Sequence, residues 1–300
     1  MTQLTDRIVT LGLSGGPKLT VDGAKPALAL VVSGRTYLVD CGYETAKQLV
    51  ASGLGFSGLH NIFVTHNHLD HTSGILGVLV HGWTNLGSEL PKTINLWGPS
   101  PADRLKHLGQ SLHSHDIDNY ITGGGFGPFP TLETHDVVQT GETIFQVMQD
   151  DLVRVTATKV FHGSELKDSF AFRFDIKATG KSVVFSGDTA APDSNLIALA
   201  KDCDFLVHEV QDNDMVERVV SRLPEVRQND LRNHLLSSHS SVEDLPGVAL
   251  AANAKNLVFS HYTPLPQPPQ VYLEKATKAA AKIGYTGRII APTELDVIEI

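Results

Sequence analysis

Short apolar runs alternate with polar turns along most of the chain, and their spacing predicts strands and helices. In the first half, RIVTLG, ALALVVS and TYLVD are typical of strands, and Gly34 and Arg35 join the last two as a β-hairpin. YETAKQLVAS indicates a helix, NIFVTH (61–66) a buried strand, and LDHTSGILGVLVHGW a loop that enters a helix.

The second half of the chain has the same character. DLVRVTATKVF and SFAFRFDI indicate paired strands, SVVFSG and FLVHEV indicate further strands, and NLIALAKD indicates a helix. Two halves of strands and helices predict layered α/β packing. The 300 residues admit one or two domains, and we predict a single domain over 1–300. In it, the least regular stretch, 82–130, is predicted to form a variable substrate-loop region in which Phe126 and Phe129 cover the substrate as a mobile lip.

The composition is that of a globular protein, with 41% hydrophobic and 19% charged residues. A formal net charge of −9 gives no overall positive field for nucleic acid or an anionic membrane. The sequence has no apolar segment typical of a signal peptide or a membrane helix, so we expect a cytoplasmic protein without a membrane partner. Cys41 and Cys203 are the two cysteines and predict no disulfide framework.

The chemistry is concentrated in HNHLDH, which contains His66, His68, Asp70 and His71 directly after a predicted strand. Buried polar groups need partners, and a metal ion supplies one for several imidazoles at once. If His66 and His68 are extended, they lie on one face of the chain, and the following turn can direct Asp70 and His71 to a second position. Imidazole and carboxylate predict zinc, with manganese or iron as alternatives.

HNHLDH resembles the H-x-H-x-D-H signature of the metallo-β-lactamase superfamily. Four more motifs follow that family's order: YLVDCG with Asp40, VFHGSELKDSFAFRF with His162, FSGDT with Asp188, and VFSHYTP with His261. The likeness is greatest to the ribonuclease Z and arylsulfatase-like branch, over residues 5–80 and 140–263. It implies an α/β fold, the four-layer αββα sandwich.

The resemblance also implies a dinuclear centre with two divalent metal ions. One ion is held by His66, His68 and His162, the other by Asp70, His71 and His261, and Asp188 bridges the two. In this branch a histidine that a glutamate positions protonates the leaving group, and His239 and Glu209 match that pair. We therefore predict Asp70, His239 and Glu209 as catalytic residues, which agrees with the general need for an acid at the leaving oxygen.

Members of the branch that mature transfer RNA carry a long arm between the positions of His162 and Asp188, where only 25 residues (163–187) intervene here. Together with the net charge, this predicts a small-molecule hydrolase. Its metal-bridging hydroxide is expected to attack a small sulfate or phosphate ester with an aryl or apolar leaving group, and nucleic acid is not expected as a partner. The alternatives are a lactonase or β-lactamase, a disfavoured ribonuclease Z-like RNA endonuclease, and a non-catalytic metal-binding or redox module. A homodimer is left open.

Overall fold

The computed structural model describes residues 5–21 and 23–300 of the chain. The strands in these residues are β1 (Arg7–Gly12), β2 (Ala27–Val32), β3 (Arg35–Val39), β4 (Leu59–Phe63), β5 (Thr93–Pro99), β6 (Thr131–Val137), β7 (Phe145–Gln149), β8 (Val153–Lys159), β9 (Phe170–Ile176), β10 (Ser182–Phe185), β11 (Phe205–Gln211), β12 (Asn256–Thr263), β13 (Arg288–Ile290) and β14 (Val297–Glu299). The helices are α1 (Thr45–Ala51), α2 (Leu69–Thr72), α3 (Ile75–Thr84), α4 (Leu108–Gly123), α5 (Ser194–Leu199), α6 (Asn213–Val220), α7 (Glu225–Ser238), α8 (Leu245–Ala252) and α9 (Pro269–Ile283), with a 3₁₀ helix at Ala102–Leu105. Within this described part, no helix is long and apolar enough to span a membrane.

The first of two compact units contains residues 5–12, 24–138 and 295–299. Its seven-stranded sheet has the order β14-β1-β2-β3-β4-β5-β6. The first four strands pair antiparallel, and β3 through β6 pair parallel. Leu38, Ile62 and Leu96, one from each of three adjacent parallel strands, lie in a core that also includes Val78 and Leu79 of α3. Because β3 and β4 are parallel, their carboxyl ends meet at one edge of the sheet.

The second unit contains residues 13–21, 23, 139–294 and 300. Its seven-stranded sheet has the order β13-β12-β11-β10-β9-β8-β7, with antiparallel pairs from β7 to β10 and parallel pairs from β10 to β13. Every residue of β10 and β11 is buried, as expected for central strands. Helices α6 and α7 form a small core of their own from Val216, Val220, Leu231 and Leu235.

The elements confirm the predicted α/β class and change several boundaries. The strand predicted over 61–66 ends at Phe63, so His66 lies in the connection that follows it. The stretch 82–130 is not a long loop, because it contains β5, the 3₁₀ helix and α4. Phe126 and Phe129 pack on Trp83 with ring centroids 5.6 and 5.3 Å away, and Phe129 also contacts the core of the first unit. The single domain, the substrate-covering role of this region and the cytoplasmic location stay predictions.

Candidate metal centre

The first unit brings together four predicted ligands at the edge where β3 and β4 end. We call His66, His68, Asp70 and His71 the first cluster. His66 and His71 are buried and their ring centroids lie 4.0 Å apart. His66 Nε2 lies 3.0 Å from His68 Nδ1, and His71 Nε2 lies 3.6 Å from Asp70 Oδ2. His68 is extended, as predicted, and is the N-cap residue of the short helix α2, which carries Asp70 and His71 where a turn was predicted.

Asp40 orients two imidazoles of the first cluster. It follows β3 in a left-handed conformation with φ 59°, and its Oδ2 lies 2.8 Å from His71 Nδ1. Thr65 donates its backbone N–H and its hydroxyl to the same carboxylate, and the hydroxyl oxygen lies 3.1 Å from His66 Nδ1. We assign the Nδ1 protons to these bonds, which leaves both Nε2 lone pairs for a metal. Hydrogen bonds of this type fix the tautomer and the orientation of metal-binding histidines.

A buried cation lies beside the first cluster. Lys25 is only 1% exposed, and its burial lowers the pKa of its ammonium group while the charge of Asp70 raises it. Its backbone N–H donates to the Tyr43 carbonyl, which holds it against the chain that follows β3. Because a buried charge is costly unless it is compensated, Lys25 and Asp70 form an electrostatic pair in this unit. The burial of Lys25 is not predictable from the sequence, since nothing in its neighbourhood marks it as buried.

The second unit brings together His162, Asp188, Glu209, His239 and His261, all buried, which we call the second cluster. Nitrogen and oxygen atoms of His162, Asp188 and His239 lie within 4.8 Å of one another, and so do those of Glu209, His239 and His261. Asp188 follows β10, and its Oδ2 lies 3.6 Å from His162 Nε2 and 3.1 Å from His261 Nε2. One carboxylate therefore faces two imidazole nitrogens, the position from which it can contact metal ions.

Neutral histidine is favoured at His162 in the metal-free protein. Burial lowers the pKa of His162 to about 4, against the opposing effect of the Asp188 charge. Its Nδ1 donates to the Ser238 carbonyl at the end of α7, at 2.7 Å, so its Nε2 carries the lone pair. A neutral imidazole with a fixed tautomer is the form that binds metals.

His261 lies at an irregularity of the sheet. In the pairing of β11 with β12, Glu209 is opposite Ser260 and Val210 is opposite Tyr262, so His261 is the extra residue of a β-bulge, with φ 46°. Bulges redirect side chains next to active sites. The Thr263 hydroxyl oxygen accepts from His261 Nδ1 at 3.0 Å, which again leaves Nε2 for a metal.

Glu209 and His239 are in direct contact. Glu209 Oε1 lies 3.1 Å from His239 Nδ1 and also accepts the backbone N–H groups of Thr189 and Ser240. Three donors on one oxygen fix the carboxylate, and the carboxylate in turn fixes the imidazole ring with Nε2 pointing away from it. His239 is 9% exposed, the most accessible member of the second cluster. The contact with Glu209 therefore allows the His239 imidazole to hold a proton at a defined atom.

The predicted residues thus lie in two groups, each within one unit, and every imidazole with an assigned tautomer presents Nε2. Borderline ligands with oriented lone pairs, next to a buried carboxylate, fit divalent metal ions such as zinc. Three supports of His162 and His261 were not predicted from the sequence: Gly15 and Ser238, which come from segments distant in the chain, and Thr263, which is two residues from His261 in the same strand. No local sequence signal indicates the contacts of Gly15 and Ser238, whereas Thr263 lies within the motif VFSHYTP.

Residues 35–262 match the family described as "Beta-lactamase superfamily domain". The chain therefore belongs to the β-lactamase superfamily. Ribonuclease Z of Mycobacterium bovis BCG is 30% identical over 294 residues, which cover 97% of this chain and 98% of the relative. Ribonuclease Z of Mycobacterium tuberculosis is 29% identical and covers 97% of both chains. Within the superfamily, the chain falls in the ribonuclease Z branch.

A solved structure supports the fold. Human tRNase Z, short form, superposes with a TM-score of 0.67 at 20% sequence identity, over 98% of this chain and 99% of that one. The predicted metallo-β-lactamase α/β sandwich is thereby confirmed. The membership also supports a hydrolase that uses divalent metal.

The comparisons contradict two predictions. A small sulfate or phosphate ester as substrate, and the absence of a nucleic-acid partner, conflict with relatives that are ribonucleases over nearly their whole length. The net charge led to the wrong prediction about nucleic acid because it is a sum over the whole surface, whereas RNA binding depends on local cations. Residues 163–187 do form only a loop, β9, a turn and β10, without an arm. One missing insertion is outweighed by similarity along 97% of the chain.

Proposed function

We propose that this protein is a metal-dependent RNA endonuclease that hydrolyses a phosphodiester bond in a transfer-RNA-type substrate. The observation that carries the proposal is the similarity to ribonuclease Z over 97% of the chain at 30% identity. The tRNase Z name of the structural neighbour supports transfer RNA as the class of RNA. The contact between Glu209 and His239 supports phosphodiester chemistry, since this pair can serve a leaving oxygen.

We further propose two metal ions per chain, with zinc as the metal and manganese or iron as alternatives. The ligands are those of the two clusters: His66, His68, Asp70, His71, His162, Asp188 and His261. When bound, such ions neutralise phosphate charge and activate water as the nucleophile. Elemental analysis of protein purified without added metal should approach two ions per chain. A reproducible value of one with full activity would contradict the dinuclear assignment.

His239 is assigned as the proton donor and Glu209 as the residue that positions it. Phosphodiester cleavage in RNA expels a poorly stabilised alkoxide, so a proton delivered to that oxygen accelerates the step. With Nδ1 directed to Glu209 Oε1, 3.1 Å away, His239 holds the transferable proton on Nε2. Asp70, which lies beside His71, is assigned both as a ligand and as a catalytic residue.

The test uses a transfer-RNA transcript that carries extra nucleotides at both ends. The metal-loaded protein is incubated with this RNA, and cleavage is followed on a sequencing gel. We expect one defined cut in this RNA and none in an unstructured RNA or in DNA of the same length. Asp188→Asn should abolish the cut. Asp202→Asn is the matched control, because Asp202 is exposed in a turn and its left-handed backbone (φ 56°) suits asparagine. If the wild-type protein cuts no RNA when it is loaded with zinc, manganese or iron, the proposal is refuted.

A further inference from the structure

A second cationic site lies in the first unit, at the opposite end of β3 from the first cluster. A cavity of about 410 Å³ is lined there by Arg7, Arg35, His60 and the turn residues Gly34, Ser57 and Gly58. Arg35 precedes Asp40 by five residues, and a strand rises about 3.3 Å per residue, so the cavity is roughly 17 Å from that end of the strand. It is therefore separate from the metal-binding residues of this unit.

The sheet fixes the positions of the cationic side chains. Arg7 begins β1, Arg35 begins β3, and His60 is the second residue of β4. Gly58 accepts the Thr36 N–H at 2.8 Å, which locks the turn before β4 onto the start of β3. A Cβ at Gly58 would lie 2.8 Å from the Gly34 carbonyl oxygen, so glycine is required for the two turns to approach this closely.

The chemistry of the lining is selective for an anion. Two arginines and a histidine face one cavity in a chain whose net charge is −9, and none of the described residues that line it is a carboxylate. Asp6 accepts the Ser33 N–H, and Glu299 is opposite Arg7 in the pairing of β1 with β14, so one carboxylate lies beside Arg7. Guanidinium groups match phosphate in charge and in bidentate geometry, and glycine turns let the backbone approach an anion. The volume is within the range of small-ligand sites.

We propose that this cavity binds a phosphate-bearing small anion, either free phosphate or the phosphate group of a mononucleotide. The site does not depend on the proposed RNA cleavage, because none of its lining residues belongs to the two clusters.

The experiment measures the binding of inorganic phosphate and of AMP to the metal-loaded protein by equilibrium dialysis, without RNA. Arg35→Gln should lower the anion affinity of one class of binding sites by roughly tenfold or more, because the contribution of one charge-assisted hydrogen bond is lost. Phosphate that binds at the metal clusters remains in every variant and serves as the internal reference. Tighter binding of AMP identifies a nucleotide as the ligand, whereas equal binding identifies phosphate.

Ser57→Asp keeps the test decisive if Arg35→Gln fails to fold. Ser57 is exposed at the cavity, so the new carboxylate repels an anion without disturbing the core. Ser221→Asp, at an exposed position after α6, is the matched control and should bind like the wild type. If Ser57→Asp retains wild-type stoichiometry and affinity for both anions, the proposal is wrong. RNA cleavage is measured separately on the same variants, so failure of this proposal can be distinguished from failure of the proposed function.

Discussion

Gly15 limits where the His261 imidazole can lie, and its replacement by alanine tests the assignment of His261 as a metal ligand. Gly15 donates its N–H to the Tyr262 carbonyl, next to His261 in β12. A Cβ at Gly15 would lie 2.6 Å from the Cε1 and Nδ1 atoms of His261 and 2.5 Å from Thr263 Oγ1. The backbone at Gly15 is outside the left-handed region, so space alone decides the effect of alanine.

The magnitude follows from these distances. Ordinary contacts begin at 3.4 Å, so the ring has to move by roughly 0.8 Å to accept the new methyl group. Overpacking of this kind costs about 1–3 kcal/mol of folding free energy. A displacement near 1 Å in an active site can lower turnover about 10²-fold, and we expect that loss together with a lower metal content.

The assay combines turnover, elemental analysis and thermal unfolding of the Gly15→Ala protein. Gly16→Ala is the matched control in the same loop, because a Cβ there meets no atom of the described residues within 4 Å, although the φ of 74° makes alanine strained. It should lose stability, by about 1–2 kcal/mol, but keep metal and turnover. Full metal content and wild-type turnover in Gly15→Ala would refute the reasoning that this close approach positions His261.

Three further predictions concern the imidazoles and their supports. His239→Ala should slow RNA and alkyl phosphodiesters by about 10²–10⁴-fold but nitrophenyl phosphodiesters far less, since good leaving groups need little protonation; equal slowing would make His239 a binding residue. Asp40→Asn should weaken zinc binding by about 10–100-fold in competition with a chelator, and unchanged affinity would contradict its role in orienting His71. In metal-free protein, the neutral form of buried His162 contributes stability that is complete above its unfolded pKa of 6.5 and is lost as the pH falls towards about 4. His162→Gln should remove up to about 3 kcal/mol of this pH dependence in chemical denaturation, and an unchanged profile would exclude it.

The sequence predicted the parts of the fold that local patterns define. The hairpin of β2 and β3 around Gly34 agrees with the alternation of apolar and turn residues. In HNHLDH, His68 is extended as predicted, but Asp70 and His71 lie in a short helix where a turn was predicted. Helix α4 was missed because its side chains are mostly exposed, so that no apolar stripe marks the helical period. The supports of the ligands were missed for another reason. The bulge at His261 and the approach of Gly15 arise from pairing between distant segments, which one sequence does not reveal.

The bond from His162 Nδ1 to the Ser238 carbonyl has a consequence for mutagenesis and for evolution. Because the acceptor belongs to the backbone, any residue at position 238 that continues the helix and fits this buried position, such as alanine, provides it. An alanine scan of α7 would therefore not reveal this hydrogen bond. Substitutions at position 238 during evolution need not weaken the bond to His162. Insertion or deletion of a residue between 236 and 240 would instead rotate the carbonyl away and release the imidazole. Chain length at this point, rather than residue identity, is what selection has to preserve.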